Sequence, residues 1–332
     1  MAVTTRSRTT PARRRLRTVV AAAGVLALAA CGSSEPEVPG ADGSLSIATG
    51  GTGGVYYPYG GGMGTVLSEN LEGVTATVQE TNASVDNILL VQDGGADIAF
   101  ALGDTTADAV AGVAQFEGRE VTICSLGKLY NNFTQAVSTS GTGIRTVADM
   151  RGKRVSVGSP GSGTEVIALR LLEAAGLNPD TDIQRSQLGV GETAQALRDG
   201  TIDAGFWSGG LPTGALVDLA STGQMVLIPT AEYTEALAQQ FGPYYQTAEI
   251  PTGTYQGQTE PSSQVVVPNV LVVRSDMPEQ LQQDITRTIF ENEERLTTVH
   301  PAAADLDAAT AGDVGFVDVC PGARAYFDQA TG

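Results

Sequence analysis

Histidine is nearly missing: the 332 residues hold one, His300, along with three cysteines and one tryptophan. One imidazole and widely spaced cysteines cannot assemble a metal site of the usual ligand density. A serine or cysteine nucleophile would have only His300 as its base, and that residue sits before Pro301 at the end of a long helical pattern. No G-x-S-x-G elbow surrounds any serine. Neither a metal nor a cofactor is expected, and a binding protein is favoured over an enzyme. Long apolar runs are scarce too: after residue 30 none approaches the roughly 18 to 20 residues that span a bilayer. Basic residues are few and unevenly placed. Six of the 19 (Arg6, Arg8, Arg13, Arg14, Arg15 and Arg17) fall in the first 30 residues, so the remaining 13 face 37 acidic ones, a net of −24. Such a surface repels phosphate backbones, which excludes nucleic acid as a partner class.

The N-terminus carries an arginine-rich stretch, the apolar run Val19 to Ala30, and then Leu28-Ala29-Ala30-Cys31. A basic region followed by a short apolar one is an export signal. Small residues before a cysteine resemble the lipobox of bacterial lipoproteins, which makes Cys31 the expected lipidation site and places the protein outside the cytoplasm, anchored to the cell membrane. The expected organisation is a signal peptide over 1–30 and a polar tether over 31–44, rich in Gly, Ser and Pro. Two other cysteines remain, Cys124 and Cys320. In an oxidising compartment they are either bridged or two buried thiols.

An internal repeat organises the rest. Leu45 to Thr49 is a strand-like run entering Gly50-Gly51-Thr52-Gly53-Gly54, and Arg154 to Val157 enters Gly158-Ser159-Pro160-Gly161-Ser162-Gly163-Thr164. Asp93-Gly94-Gly95-Ala96-Asp97 through Phe100 is echoed by Asp199-Gly200-Thr201-Ile202-Asp203 through Phe206. The two offsets are 108 and 106 positions, so order and spacing agree. Each unit runs strand, glycine loop, helix, strand, helix, strand, which predicts an α/β fold with parallel sheets in two similar lobes. Further helices are expected over Val166 to Ala175 and, from a capping box at Asp276-Met277-Pro278-Glu279, along Leu281, Ile285, Ile289 and Leu296 up to Pro301. The chain would cross between lobes at Thr134 to Thr139 and return along Val265 to Arg274, so lobe I takes 45–136 and 270–332 and lobe II takes 137–269.

In open parallel sheets ligands bind beyond the carboxyl ends of the strands, where loops enter helices. Two such loops should face one another across a cleft. The second is no phosphate loop, since Thr164 stands where the lysine belongs; the first lacks dinucleotide spacing, since Tyr56 occupies the third glycine position. Thr52 and the N–H groups of Gly53 and Gly54 are candidate anion contacts. Tyr56 and Tyr57 are candidate cleft aromatics, and Tyr130 and Trp207 candidate walls. Ser159, Ser162 and Thr164, with Gly161 and Gly163 between them, either offer groups to a ligand or cap the following helix; Asp104 and Ser84 face the same choice.

Three segments together resemble solute receptors of the TAXI family of TRAP transporters: Ile47-Ala48-Thr49-Gly50-Gly51-Thr52-Gly53-Gly54-Val55-Tyr56-Tyr57-Pro58, Met150 to Gly158 with Pro160 to Thr164, and Ile250-Pro251-Thr252-Gly253-Thr254-Tyr255. The resemblance runs from Leu45 to about Phe327. It implies a two-lobed, Venus-flytrap receptor of the type II periplasmic-binding-protein kind with two hinge crossings, acting as a monomer. It also implies a glutamate-like, glutamine-like or dicarboxylate ligand and a TRAP-type membrane permease as partner. The alternatives are an enzyme related to pyrimidine-precursor synthases on the same fold, or a receptor for a sensor kinase or an ATP-driven transporter. The sequence departs from the family pattern at Thr81-Asn82-Ala83-Ser84, at Gly103 where a serine is usual, and at Val319-Cys320-Pro321-Gly322, where the cysteine would add a bridge to Cys124.

Overall fold

Strands alternate with helices twice along the chain in the computed structural model, which describes Gly40 and residues 43–332. Cys31 and the expected signal segment lie outside the described residues. The first unit comprises β1 (Ser44–Ala48), α1 (Tyr56–Asn70), β2 (Thr75–Gln79), α2 (Ser84–Gln92), β3 (Ile98–Leu102) and α3 (Gly103–Ala111). After β4 (Ile123–Thr139) the second unit follows, with β5 (Arg154–Ser156), α4 (Gly163–Ala174), β6 (Gln184–Ser186), α5 (Val190–Arg198) and β7 (Ala204–Gly209). In both units the first strand lies between the other two, all parallel. The repeated D-G-x-x-D has a physical role in this arrangement. Asp97 Oδ2 accepts from the Ser46 amide at 2.7 Å, and Asp203 Oδ2 from the Arg154 amide at 2.9 Å, so each second aspartate fastens the first strand of its own unit.

The remaining elements are α6 (Gly214–Ala220), β8 (Met225–Ile228), α7 (Thr234–Phe241), β9 (Gln246–Ile250), β10 (Ser262–Arg274), α8 (Glu279–Phe290), α9 (Glu293–Val299) and α10 (Pro321–Thr331). Two long antiparallel strands, β4 and β10, run through both halves. β3 pairs with β10 over Asn269 to Val273, and β7 pairs with β4 over Phe133 to Ser138, which joins the units in one sheet ordered β2-β1-β3-β10-β4-β7-β5-β6. The result is the two-lobed α/β fold that the repeat predicts, with two crossings longer than the sequence suggests.

Each half has its own core. Leu45, Ile47, Phe100, Val270 and Leu271 belong to the cluster of the first half, and Val155, Ile167, Leu171, Phe206 and Val265 to one in the second. Each such fully buried side chain contributes about 1.5–3 kcal/mol. Two residues cross over: Leu102, at the end of β3, packs in the second half's cluster, and Val166 of α4 packs in the first's. The halves are therefore in contact, and the cleft between them is closed.

Three local expectations need correction. The long helix after Pro278 is broken at Asn292, whose side chain donates to the Thr288 carbonyl at 2.8 Å, so α8 and α9 are separate. Asp276 does not cap α8, because its carboxylate accepts from Arg274 Nε at 2.9 Å and Pro278 takes the flanking position. β1 begins at Ser44, inside the segment expected as tether. Cys124 and Cys320 form a disulfide with Cα atoms 5.0 Å apart, which ties the start of β4 to the start of α10 across 196 positions. No helix among the described residues is long and apolar enough to cross a membrane.

Candidate functional site

Four helices begin at one cavity of about 40 Å³. Val55 and Tyr56 at the start of α1 and Ala83 and Ser84 at the start of α2 come from the first half; Ser162, Gly163 and Thr164 at the start of α4 and Gly189 and Val190 at the start of α5 come from the second. The ends of β3 and β7 complete it with Leu102 and Trp207 to Gly209. Because strands of a parallel sheet end on the same edge, the repeat places both sets of helix starts there. The two loops thus converge as expected.

Of the candidate residues, Gly54, Tyr56, Ser84, Ser159, Ser162, Gly163, Thr164 and Trp207 line the cavity. Tyr56 is buried and stacks on Phe100 with ring centroids 4.9 Å apart, while its hydroxyl accepts from Asn269 Nδ2 at 2.6 Å. Burial raises its phenol pKa, partly offset by Ser84, so the hydroxyl stays protonated. Trp207 is held by its Nε1, which donates to Thr213 Oγ1 at 3.0 Å. Tyr255, from the Ile250 to Tyr255 segment, accepts from the Thr213 amide at 3.1 Å and donates to Gln135 Oε1 on β4 at 2.7 Å, which links the tryptophan to a crossing strand. A Cβ on Gly54 would stand 2.8 Å from the Trp207 ring, so glycine is needed there for the halves to meet.

Ser84, Ser162 and Thr164 share one pattern. Their oxygens accept from the backbone N–H of Leu102 at 3.1 Å, of Glu165 at 3.0 Å and of Ser208 at 3.1 Å, which leaves the hydroxyl protons of Ser162 and Thr164 to donate elsewhere, while Ser84 also hydrogen-bonds the Tyr56 hydroxyl. Ser162 is also the N-cap of α4, so capping and cavity lining coexist in one residue.

Six candidates stand elsewhere. Asp104 is fully buried, but its carboxylate accepts from the Thr105 amide at 2.7 Å and from Tyr245 Oη at 2.8 Å, with Arg170 3.7 Å away. Burial raises its pKa, and Arg170 opposes that shift. Arg170 also meets Asp108 at 2.5 Å, so an ion pair of α4 and α3 closes the two halves on each other, and Asp104 has no role at the cavity. Tyr130 is buried under the wall, 6.0 Å from the Tyr59 ring and against Gly210. Tyr57, one position along α1, turns onto another helix face and is half-buried outside the lining. Thr52 and Gly53 lie in an outer groove with Glu80, Asp86 and Glu192. The Thr52 N–H donates to Glu80 Oε1 at 3.2 Å and the Gly54 N–H to the Gly51 carbonyl at 3.0 Å, so these two N–H groups serve the protein rather than an anion, while the Gly53 carbonyl accepts from Ala215 at 3.4 Å. The Gly161 carbonyl accepts from Val85 and Asp86 at 3.2 Å each, a bond between halves.

Sequence reasoning missed Leu102 and Ser208 and noted the turn Thr81 to Ala83 only as a departure from the family pattern; all of them line the cavity. The repeat held the signal, because an offset of 106 carries Leu102 onto Ser208. The turn has a further feature: Ala83 lies at φ 78°, a backbone region that favours glycine. At Gly103 a Cβ would come within 2.8 Å of Phe316 and 2.9 Å of Pro268, so packing excludes a serine there.

The NMT1-like family profile matches residues 47–330, which spans both halves and the whole cleft. The chain belongs to the NMT1-like family. Among solved structures, a protein from Bordetella bronchiseptica RB50 superposes with a TM-score of 0.54 at 16% identity, covering 87% of this chain and 98% of that one. The periplasmic aliphatic sulphonate-binding protein SsuA from Escherichia coli gives 0.48 at 16% identity, over 86% and 82%. The amino acid ABC transporter substrate-binding protein AbpA from Streptococcus pneumoniae, bound to L-arginine, gives 0.46 at 16%, over 80% and 97%. In this NMT1-like chain, then, the matched region carries every cavity residue named above.

Proposed function

We propose that this protein is an extracytoplasmic solute-binding receptor that closes two lobes over a small polar ligand, a carboxylate or an amino acid, and presents it to a TRAP-type membrane permease. The observation that carries this reading is the closed cleft: helix starts from both halves end at one cavity, and Leu102 and Val166 each pack in the opposite core. Closure of that kind is driven by a ligand that binds the closed form better than the open one. The lobes are 45–136 with 270–332, and 137–269; membership of the cores changes between Val267 and Val270 on β10, which supports that boundary. Binding rather than catalysis suits a lining of hydroxyls, amide N–H groups and one indole. The Cys124–Cys320 disulfide supports an oxidising, extracytoplasmic setting, with Cys31 as the lipid anchor of a monomer.

The test is a panel of carboxylates and amino acids scored by thermal shift and by Trp207 fluorescence, since only a solute that binds the native fold raises its midpoint with concentration. A solute that raises the midpoint and perturbs the tryptophan supports the receptor; no response to any small polar solute overturns it. The partner is tested separately in proteoliposomes. Uptake driven by an ion gradient supports a TRAP permease, and uptake that requires ATP overturns it.

A further inference from the structure

The cavity has donors and no ions. Among the described residues that line it, none carries a formal charge. Ser162 and Thr164 each keep a hydroxyl proton to donate. The N–H groups of Gly163 and Thr164, at the first two positions of α4, have no partner among the described residues. Ser208 adds an independent observation: it is 6% exposed, its Oγ has no hydrogen-bond partner, and it lines the cavity. A buried hydroxyl of this kind carries a free-energy cost unless something fills the space beside it.

We infer that the ligand is a compact monocarboxylate with no ammonium group, held by neutral donors. The inference rests on the receptor reading above and narrows it. An ammonium in this cavity would be desolvated with no carboxylate to receive it, because Asp104 is already enclosed by Thr105, Tyr245 and Arg170. A carboxylate instead meets hydroxyl and amide donors at a helix start, which favour negative charge. A second negative charge is disfavoured. Glu165 accepts from the Gly161 amide at 2.9 Å and Glu192 from the Gly189 amide at 3.1 Å, so the protein's own carboxylates already occupy the first turns of α4 and α5. Glu80, Asp86 and Glu192 also line the outer groove beside the cavity, which shares Thr81, Asn82 and Ser159 with it. Size points the same way, because a space of about 40 Å³ suits a compact solute.

L-lactate and L-alanine separate the possibilities, since they are nearly isosteric and differ in hydroxyl against ammonium. Titration calorimetry of the full chain with L-lactate, pyruvate, L-alanine, L-glutamate and succinate is expected to show binding of the first two and at least tenfold weaker binding of the rest. Ser208→Ala is expected to weaken lactate binding about tenfold while leaving the ligand-free melting midpoint unchanged or higher. Binding of alanine or glutamate as tight as lactate overturns this inference and leaves the receptor standing, whereas a response to none of the five overturns the inference on its own; the wider panel above then decides the receptor. Unchanged lactate affinity in Ser208→Ala overturns the role given to that hydroxyl.

Discussion

Gly163→Ala should weaken ligand binding without weakening the fold. A Cβ at this position would lie 2.6 Å from Leu102 Cδ1, 2.7 Å from Ser84 Oγ and 2.9 Å from Leu102 Cγ, all across the cleft in the other half. Carbon atoms rest at about 3.5–4.0 Å, so the overlap approaches 1 Å. Leu102 is 2% exposed and has little room to yield. Overpacking of this kind costs about 1–3 kcal/mol, here charged only to the closed form. Because about 1.4 kcal/mol is a factor of ten, affinity should fall roughly 5- to 150-fold. The open form bears no such cost, since Gly163 is the first residue of α4 and its backbone is not left-handed. Alanine is the better helix former, so the ligand-free midpoint should hold or rise. The assay pairs a Trp207 fluorescence titration, using the strongest binder of the panel, with melting in the absence of ligand. Affinity within twofold of the parent would show that Gly163 and Leu102 do not meet in the bound state. A ligand-free midpoint lower by more than a few degrees would show that the glycine is needed for folding and not for closure.

Arg170→Met leaves Asp104 and Asp108 buried without their cation, a loss of about 3–5 kcal/mol for a broken buried pair. Because the pair spans the halves, the variant should close less readily on ligand, seen as a smaller ligand-induced fall in the radius of gyration in solution scattering; an unchanged fall refutes the latch. Cys124→Ser removes a bridge between positions 196 apart, worth up to about 5 kcal/mol by loop-closure entropy, and should lower the urea midpoint to that of the reduced parent. Equal midpoints for oxidised and reduced parent would contradict this. Asp203 is held below the ordinary carboxylate value of about 3.9 by hydrogen bonds from the Arg154 side chain and amide. A depressed acid stabilises the fold above its unfolded pKa, and that stability is lost as pH falls through the lower folded value. Asp203→Asn should therefore be less stable by about 1–2 kcal/mol at pH 7, with the difference closing below about pH 4; a difference independent of pH refutes the assignment.

The chain's own pattern was sufficient for the architecture. A repeat offset of 108 and 106 positions predicts two similar lobes because strand, loop and helix each have a local signature, and the second aspartate of each unit acts within its own unit. Glycine loops at helix starts predict the cleft edge for the same reason. What local pattern cannot reveal is which groups are already occupied. Asp104 looks like a partner for a ligand until Tyr245 and Arg170, 141 and 66 positions away, arrive beside it. Thr52 looks like an anion contact until Glu80 takes its amide. Ser208 stands out only once its unpartnered hydroxyl and the closed walls around it are both in view. Hydrogen-bond capacity is used up by contacts made in three dimensions, so the site's position was legible from sequence, while its donor inventory, its lack of charge and its size were decided by the tertiary structure.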